Sequence, residues 1–207
     1  MHTPDHGRVA GEPLRIGIAL FPDAEELDWA GPWEVLSYWA RSWPEDLVEV
    51  FTVADQDGPV RCAKGLRVLP DHTWETAPPM DVLIYPGGIG TRSQLGRQDV
   101  RERMRGLAGG GTLMASVCTG ALVFADAGLL DGRPATTYWS QLDLLASLGE
   151  GIQVRPDDRF VDTGEVITAA GVSAGIDMAL HLVRRLHSTA RAREVRRGIQ
   201  YDPAPPV

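Results

Sequence analysis

Only two cysteines, Cys62 and Cys118, occur in this chain of 207 residues. That scarcity excludes a disulfide framework and a multi-cysteine metal cluster. No stretch approaches the roughly 18 consecutive apolar residues of a membrane-spanning helix. The opening segment, residues 1–13, is polar and lacks the apolar core of a signal peptide. Positive charge is in deficit: 20 Lys and Arg face 28 Asp and Glu, a net charge of −8. This argues against nucleic acid or an anionic membrane surface as partner. The histidines are His2, His6, His72, His181 and His187. None adjoins Cys118, and none shares a metal-ligand spacing with other candidate ligands, so no metal is expected. A cytoplasmic protein is the default expectation.

What is present fits one globular α/β unit. Apolar residues make up 43% and charged residues 23%, near the globular average. Apolar runs at residues 14–21, 48–54 and 81–85 read as buried strands. Helical patterns alternate with them at 28–41, 99–108, 121–124, 141–148, 176–186 and 191–200. Pro32 then falls in a first helical turn, where it is tolerated. Residues 59–69 alternate like a short hairpin, and 159–168 predict a second hairpin turning at 162–165. Strand–helix alternation with continuous apolar strands predicts a doubly wound, mostly parallel sheet with helices on both faces. The expected division is an extension (1–13), a single α/β domain (14–200) and a tail (201–207).

Sites in such sheets lie at the carboxyl ends of strands. Ser116-Val117-Cys118-Thr119-Gly120 follows one apolar run and precedes another. A cysteine where a strand turns sharply into a helix has the layout of a nucleophile elbow. A helix N-terminus favours the thiolate there. A small buried hydrophobe is the other reading of Cys118. The first strand leads to Asp28, a candidate proton carrier or helix N-cap. The strand at 81–85 leads to Gly87-Gly88, a candidate anion-stabilising loop or merely a tight turn. If these strands are neighbours, a thiol, a carboxyl and a backbone loop converge, which suits addition of a nucleophile to a polarised carbon.

Residues 27–32 (LDWAGP), 81–90, 112–132, 135–139 (ATTYW), 171–177 (GVSAGID) and 201–206 (YDPAPP) resemble the ThiJ/PfpI superfamily, within the class I glutamine amidotransferase-like fold. The resemblance covers nearly everything from Leu14 onward and implies a flavodoxin-like fold. Within the superfamily it points to the isonitrile-hydrating branch. It implies that Cys118 is the nucleophile and Asp28 its acid/base partner. It implies that the backbone N–H groups of Gly88 and Thr119 stabilise developing charge. Thr119 stands where protease-like relatives carry His, which places hydration above peptide cleavage. Tyr138 stands where that branch has His, and Trp29 where it has a smaller aliphatic residue. Trp29, Ile89, Tyr138 and Trp139 are the expected substrate pocket.

The activity implied is hydration of an isonitrile to an N-substituted formamide through a Cys118 thioimidate, with no metal or organic cofactor. A small-molecule substrate and a homodimer are the implied partners. Another cysteine-dependent reaction on this fold is the alternative: amide hydrolysis, 2-oxoaldehyde hydration or deglycation. A redox or ligand sensor is a second one. Sensors of this kind are fused to DNA-binding modules, and the chain stops soon after the domain, which favours the enzyme.

Overall fold

The computed structural model describes residues 11–204. The expected extension, 1–13, and the end of the tail, 205–207, lie largely or wholly outside the described residues. The elements, in chain order, begin with β1 (Leu14–Leu20), α1 (Glu26–Ser42), a short 3₁₀ turn (Pro44–Asp46) and β2 (Val48–Ala54). The hairpin β3 (Val60–Arg61) and β4 (Arg67–Val68) precedes β5 (His72–Thr73) and β6 (Val82–Tyr85). Next come α2 (Thr91–Gln94), α3 (Gln98–Gly109), β7 (Leu113–Val117) and α4 (Gly120–Asp126). β8 (Pro134–Ala135), a 3₁₀ turn (Trp139–Gln141), α5 (Leu142–Leu148) and β9 (Gln153–Val154) follow. The chain closes with β10 (Phe160–Asp162), β11 (Val166–Ala169), α6 (Ala174–Leu186) and α7 (Thr189–Gly198).

Seven strands form one sheet in the order β10-β11-β7-β6-β1-β2-β5. All neighbours are parallel except β10 and β11. This is the doubly wound, flavodoxin-like architecture the strand–helix alternation predicts. Strands β6, β7 and β11 are buried at every residue, because helices cover both faces. Helix α1 packs on α6 and α7, while α4 gathers α2, α3 and α5 into a second group. α6 turns Ala174, Met178, Ala179, Leu182 and Val183 inward, the spacing of one helical face. Both predicted hairpins form, at β3–β4 and β10–β11. The strand β5 and the small pair β8–β9 are two residues each and pair in parallel, so no hairpin turn marks them in the sequence.

One expectation is corrected. Helix α1 begins at Glu26, two residues before the predicted start, so Pro32 lies inside it rather than in its first turn. Proline has no N–H to return to the carbonyl four residues back. That carbonyl belongs to Asp28, so the helix runs on without one hydrogen bond at a residue of the site. No helix among the described residues is long and apolar enough to cross a membrane.

Candidate active site

The chain runs from β1 outward to β2 and then returns to β6 on the other side of β1. A reversal of this kind opens a crevice at the strands' carboxyl ends. Three adjacent strands, β7, β6 and β1, deliver Cys118, Gly87-Gly88 and Asp28 to it. The convergence that sequence left conditional is therefore met by the strand order.

Cys118 sits between β7 and α4 with φ at +56°. That is the left-handed region, which costs a non-glycine residue about 1–3 kcal/mol. The turn is held from three sides. The Cys118 N–H donates to the carbonyls of Ala169 and Ala170, at 3.1 and 3.0 Å. Its carbonyl accepts from Thr137 Oγ1 at 2.7 Å. The elbow thus aims the side chain out of the sheet, and the residue stays only 6% exposed.

Asp28 is fully buried. It is the third residue of α1, and the helix has no side-chain cap, so the N-cap reading falls. Its Oδ2 accepts the Gly87 N–H at 2.9 Å. Its Oδ1 is buried and finds no hydrogen-bond partner, and the Cys118 thiol is the neighbouring side chain whose charge state it is coupled to. Gly87 is required for this approach. A Cβ there would lie 2.5 Å from the Thr119 nitrogen and 2.8 Å from Asp28 Oδ2, inside the reach of any real contact.

The electrostatics follow from burial. Loss of water pushes the Asp28 carboxyl up to about 7, against the lowering effect of the Gly87 N–H. Glu25 adds to the rise, and the Cys118 thiol and Lys64 oppose it. Burial, then the Asp28 charge, also pushes the Cys118 thiol well above its ordinary value. The N–H groups of Thr119 and Val172 favour the sulfur anion but do not prevail. The expectation of a resting thiolate at a helix N-terminus is thereby corrected. Burial thus favours the protonated thiol over the thiolate beside the Asp28 carboxyl.

Thr119 faces the sulfur with its N–H, as expected, while its side chain does something the sequence did not suggest. Thr119 Oγ1 accepts the Gly88 N–H at 2.9 Å. Gly88 is therefore not a free donor in the resting site, and charge stabilisation by its N–H requires Thr119 to yield. Thr91 Oγ1 donates to the Gly88 carbonyl at 2.8 Å and braces the same loop.

A cavity of about 350 Å³ opens over Cys118. Ile89, Tyr138 and Val172 give it apolar surface, and Arg92, Gln141, Glu25 and Lys64 give it polar surface. Ile89 and Tyr138 thus meet their predicted place. Trp29 and Trp139 do not. Trp29 is buried and turns toward the Cys62 thiol, away from the cavity. Trp139 is 72% exposed and rests on the Tyr138 ring, with centroids 5.7 Å apart. Arg92, Gln141, Glu25 and Lys64 were missed, because they come from four separate segments and carry no local motif. His181 bonds Asp162 at 2.6 Å and takes no part in the site. Among the described residues no group of His, Cys, Asp and Glu could hold a metal ion.

The chain is similar to several known proteins. The isonitrile hydratase of Pseudomonas putida is 40% identical over 193 residues, which cover 93% of this chain and 81% of that protein. The HTH-type transcriptional regulator GbdR of Pseudomonas aeruginosa is 30% identical over 178 residues. The matched region covers 84% of this chain but only 47% of that regulator's length. Among solved structures, a ThiJ/PfpI family protein from Pseudomonas syringae superposes with a TM-score of 0.83 at 31% identity, covering 99% of this chain and 82% of that one. The family model described as DJ-1/PfpI matches residues 14–185, from the first residue of β1 to the last turn of α6. With that match, the cysteine elbow and the sheet order, the chain belongs to the DJ-1/PfpI family.

Proposed function

We propose that this protein hydrates an isonitrile, R–N≡C, to an N-substituted formamide, with Cys118 as nucleophile and Asp28 as proton carrier. The observation that carries this reading is the buried pair itself. A carboxyl that burial brings close to half-titration at neutral pH lies directly against a thiol. Such a group can both take and return a proton. The 40% identity to an isonitrile hydratase supports the same chemistry.

Asp28 carries a proton in each half of the reaction. Asp28 takes the S–H proton as Cys118 Sγ bonds to the terminal carbon. It then delivers that proton to the carbon, giving a thioimidate, R–N=CH–S. The Asp28 carboxylate next deprotonates a water that attacks the same carbon, and the proton passes to nitrogen. The hydroxyl proton leaves as the C–S bond breaks and returns to sulfur, releasing R–NH–CHO and the starting thiol. The tight packing of Gly87 on Asp28 and Thr119 keeps other water from the pair.

The test is turnover of a small isonitrile panel, read as formamide by mass spectrometry. Cys118→Ala is expected to abolish it and Cys62→Ala to retain most of it. Asp28→Asn is expected to lose about 10²-fold or more, and Asp28→Glu less. An isonitrile-derived mass on Cys118 would identify the thioimidate. Turnover that survives Cys118→Ala sinks the mechanism. A ligand-sensing role is the second reading, supported by the similarity to a transcriptional regulator; tight isonitrile binding without turnover would favour it.

A further inference from the structure

Among the described residues, Arg92 is the cavity cation that no carboxylate pairs with. Arg15, Arg97, Arg101, Arg159 and Arg191 each rest on a carboxylate. Lys64, across the same cavity, is paired with Glu25 and lies 3.9 Å from Glu26. Arg92 instead donates only to neutral oxygens. One terminal nitrogen reaches Gln141 Oε1 at 2.7 Å and the other Thr91 Oγ1 at 3.2 Å.

Those two bonds fix the plane of the guanidinium. Gln141 is itself held, through its Nε2, on the Ser140 carbonyl at 2.9 Å. Thr91 is anchored on the Gly88 loop. A guanidinium has five N–H donors, so three remain for a ligand. Arg92 is exposed at the cavity mouth, and bidentate pairing with a planar carboxylate is what this fork does best. The balance of charge favours a monoanion. One positive charge is unmatched, and Glu25, which also lines the cavity, disfavours a dianion such as phosphate. Size agrees as well. A sphere of the cavity's volume is about 9 Å across, so a small molecule on the sulfur can also touch Arg92.

We propose that the molecule this cavity accepts carries a carboxylate on the side away from its reacting carbon, received by Arg92. Resting on the hydratase reading, this makes the substrate class a carboxylated isonitrile, with Ile89, Tyr138 and Val172 against its apolar middle. Arg92 is then a specificity-determining residue, and it takes no part in the bond making at Cys118.

The experiment has two arms. In the first, Cys118 is alkylated with iodoacetate, an anion, and with iodoacetamide, its neutral counterpart, and the ratio of rates is read by mass spectrometry. The ratio cancels any general change in thiol reactivity. Arg92→Gln is expected to lower it by roughly tenfold, the scale of one charge-assisted hydrogen bond, and Arg92→Lys by less. Arg15→Gln, which removes a charge paired with Glu49 outside the cavity, is expected to change it by under about twofold. Added salt should lower the ratio in the wild type more than in Arg92→Gln. In the second arm, kcat/KM is compared for 4-isocyanobutanoate and butyl isocyanide. The wild type is expected to prefer the carboxylate, and Arg92→Gln to lose that preference. An alkylation ratio unmoved by Arg92→Gln, or lowered equally by Arg15→Gln, overturns the proposal. If neither isonitrile is turned over while the alkylation ratio still depends on Arg92, the hydratase reading fails and anion recognition at Arg92 stands.

Discussion

Replacing Asp28 by Asn is expected to stabilise the fold while disabling the site, and the size of the effect follows from burial. The Asp28 carboxyl ionises near pH 7 in the folded chain, against an ordinary value of 3.8. At about 1.4 kcal/mol per pH decade, keeping it ionised costs the fold about 4 kcal/mol above pH 7. The sign is that of a raised carboxyl. The folded chain holds the proton more tightly than the unfolded chain, so stability is greatest below about pH 4 and falls as pH rises through 7. Asn has nearly the same shape, keeps an oxygen for the Gly87 N–H, and carries no charge. Its NH₂ must face the Cys118 sulfur, a weak acceptor, which reduces the gain. The expected net at pH 8 is about 2–4 kcal/mol, or roughly 5–12 °C in Tm for a chain of this size. The assay is urea or thermal unfolding of both proteins at pH 5, 6, 7 and 8. The gap should widen with pH across that range and be small at pH 5. A gap that is constant with pH, or an Asn variant less stable than wild type at pH 8, would mean that Asp28 ionises without penalty. The shared-proton mechanism would then lose its physical basis.

Further outcomes follow from the same geometry. The pH profile of kcat/KM should rise about tenfold per unit below pH 7 and level off above it, because a protonated Asp28 cannot accept the thiol proton; a flat profile from pH 5 to 8 contradicts this. Gly87→Ala should destabilise the protein by several kcal/mol or force the loop off the site. The added Cβ meets the Thr119 backbone nitrogen at 2.5 Å, and denaturation together with Cys118 alkylation would show which. Tyr138→Phe removes one hydroxyl from the cavity wall. It should alter relative kcat/KM among substrates by up to roughly 10–200-fold while leaving iodoacetamide reactivity of Cys118 nearly unchanged. Uniform loss across substrates together with lost thiol reactivity would instead place Tyr138 in the proton path.

The alternation of apolar strands and amphipathic helices was legible because both periodicities are local. Strands of four to seven residues, such as β6 and β1, announce themselves, and the two-residue strands β3 and β4 are marked by the turn between them, whereas β5 has neither length nor a hairpin turn. Helix α1 was placed two residues late because Pro32 reads as a first-turn residue, yet the chain carries it one turn deeper. Packing on α6 and α7 outweighs the one hydrogen bond that the proline omits. The aromatic residues divided for a similar reason. Trp29 and Trp139 look as much like pocket walls as Tyr138 does, but only the fold decides which ring is buried and which meets the cavity.

What the sequence determined by itself was the kind of protein: an α/β chain with a cysteine at a strand–helix corner and a carboxyl and glycine pair after two other strands. Those are features of neighbouring residues. What only the tertiary structure decided was the state of the site. Strand order brings β7, β6 and β1 together, and burial then raises both the Asp28 carboxyl and the Cys118 thiol. The local signal, a cysteine at a helix start, pointed to a resting thiolate. Loss of water around the pair is a property of everything packed over it, and it outweighs the few backbone N–H groups that favour the anion.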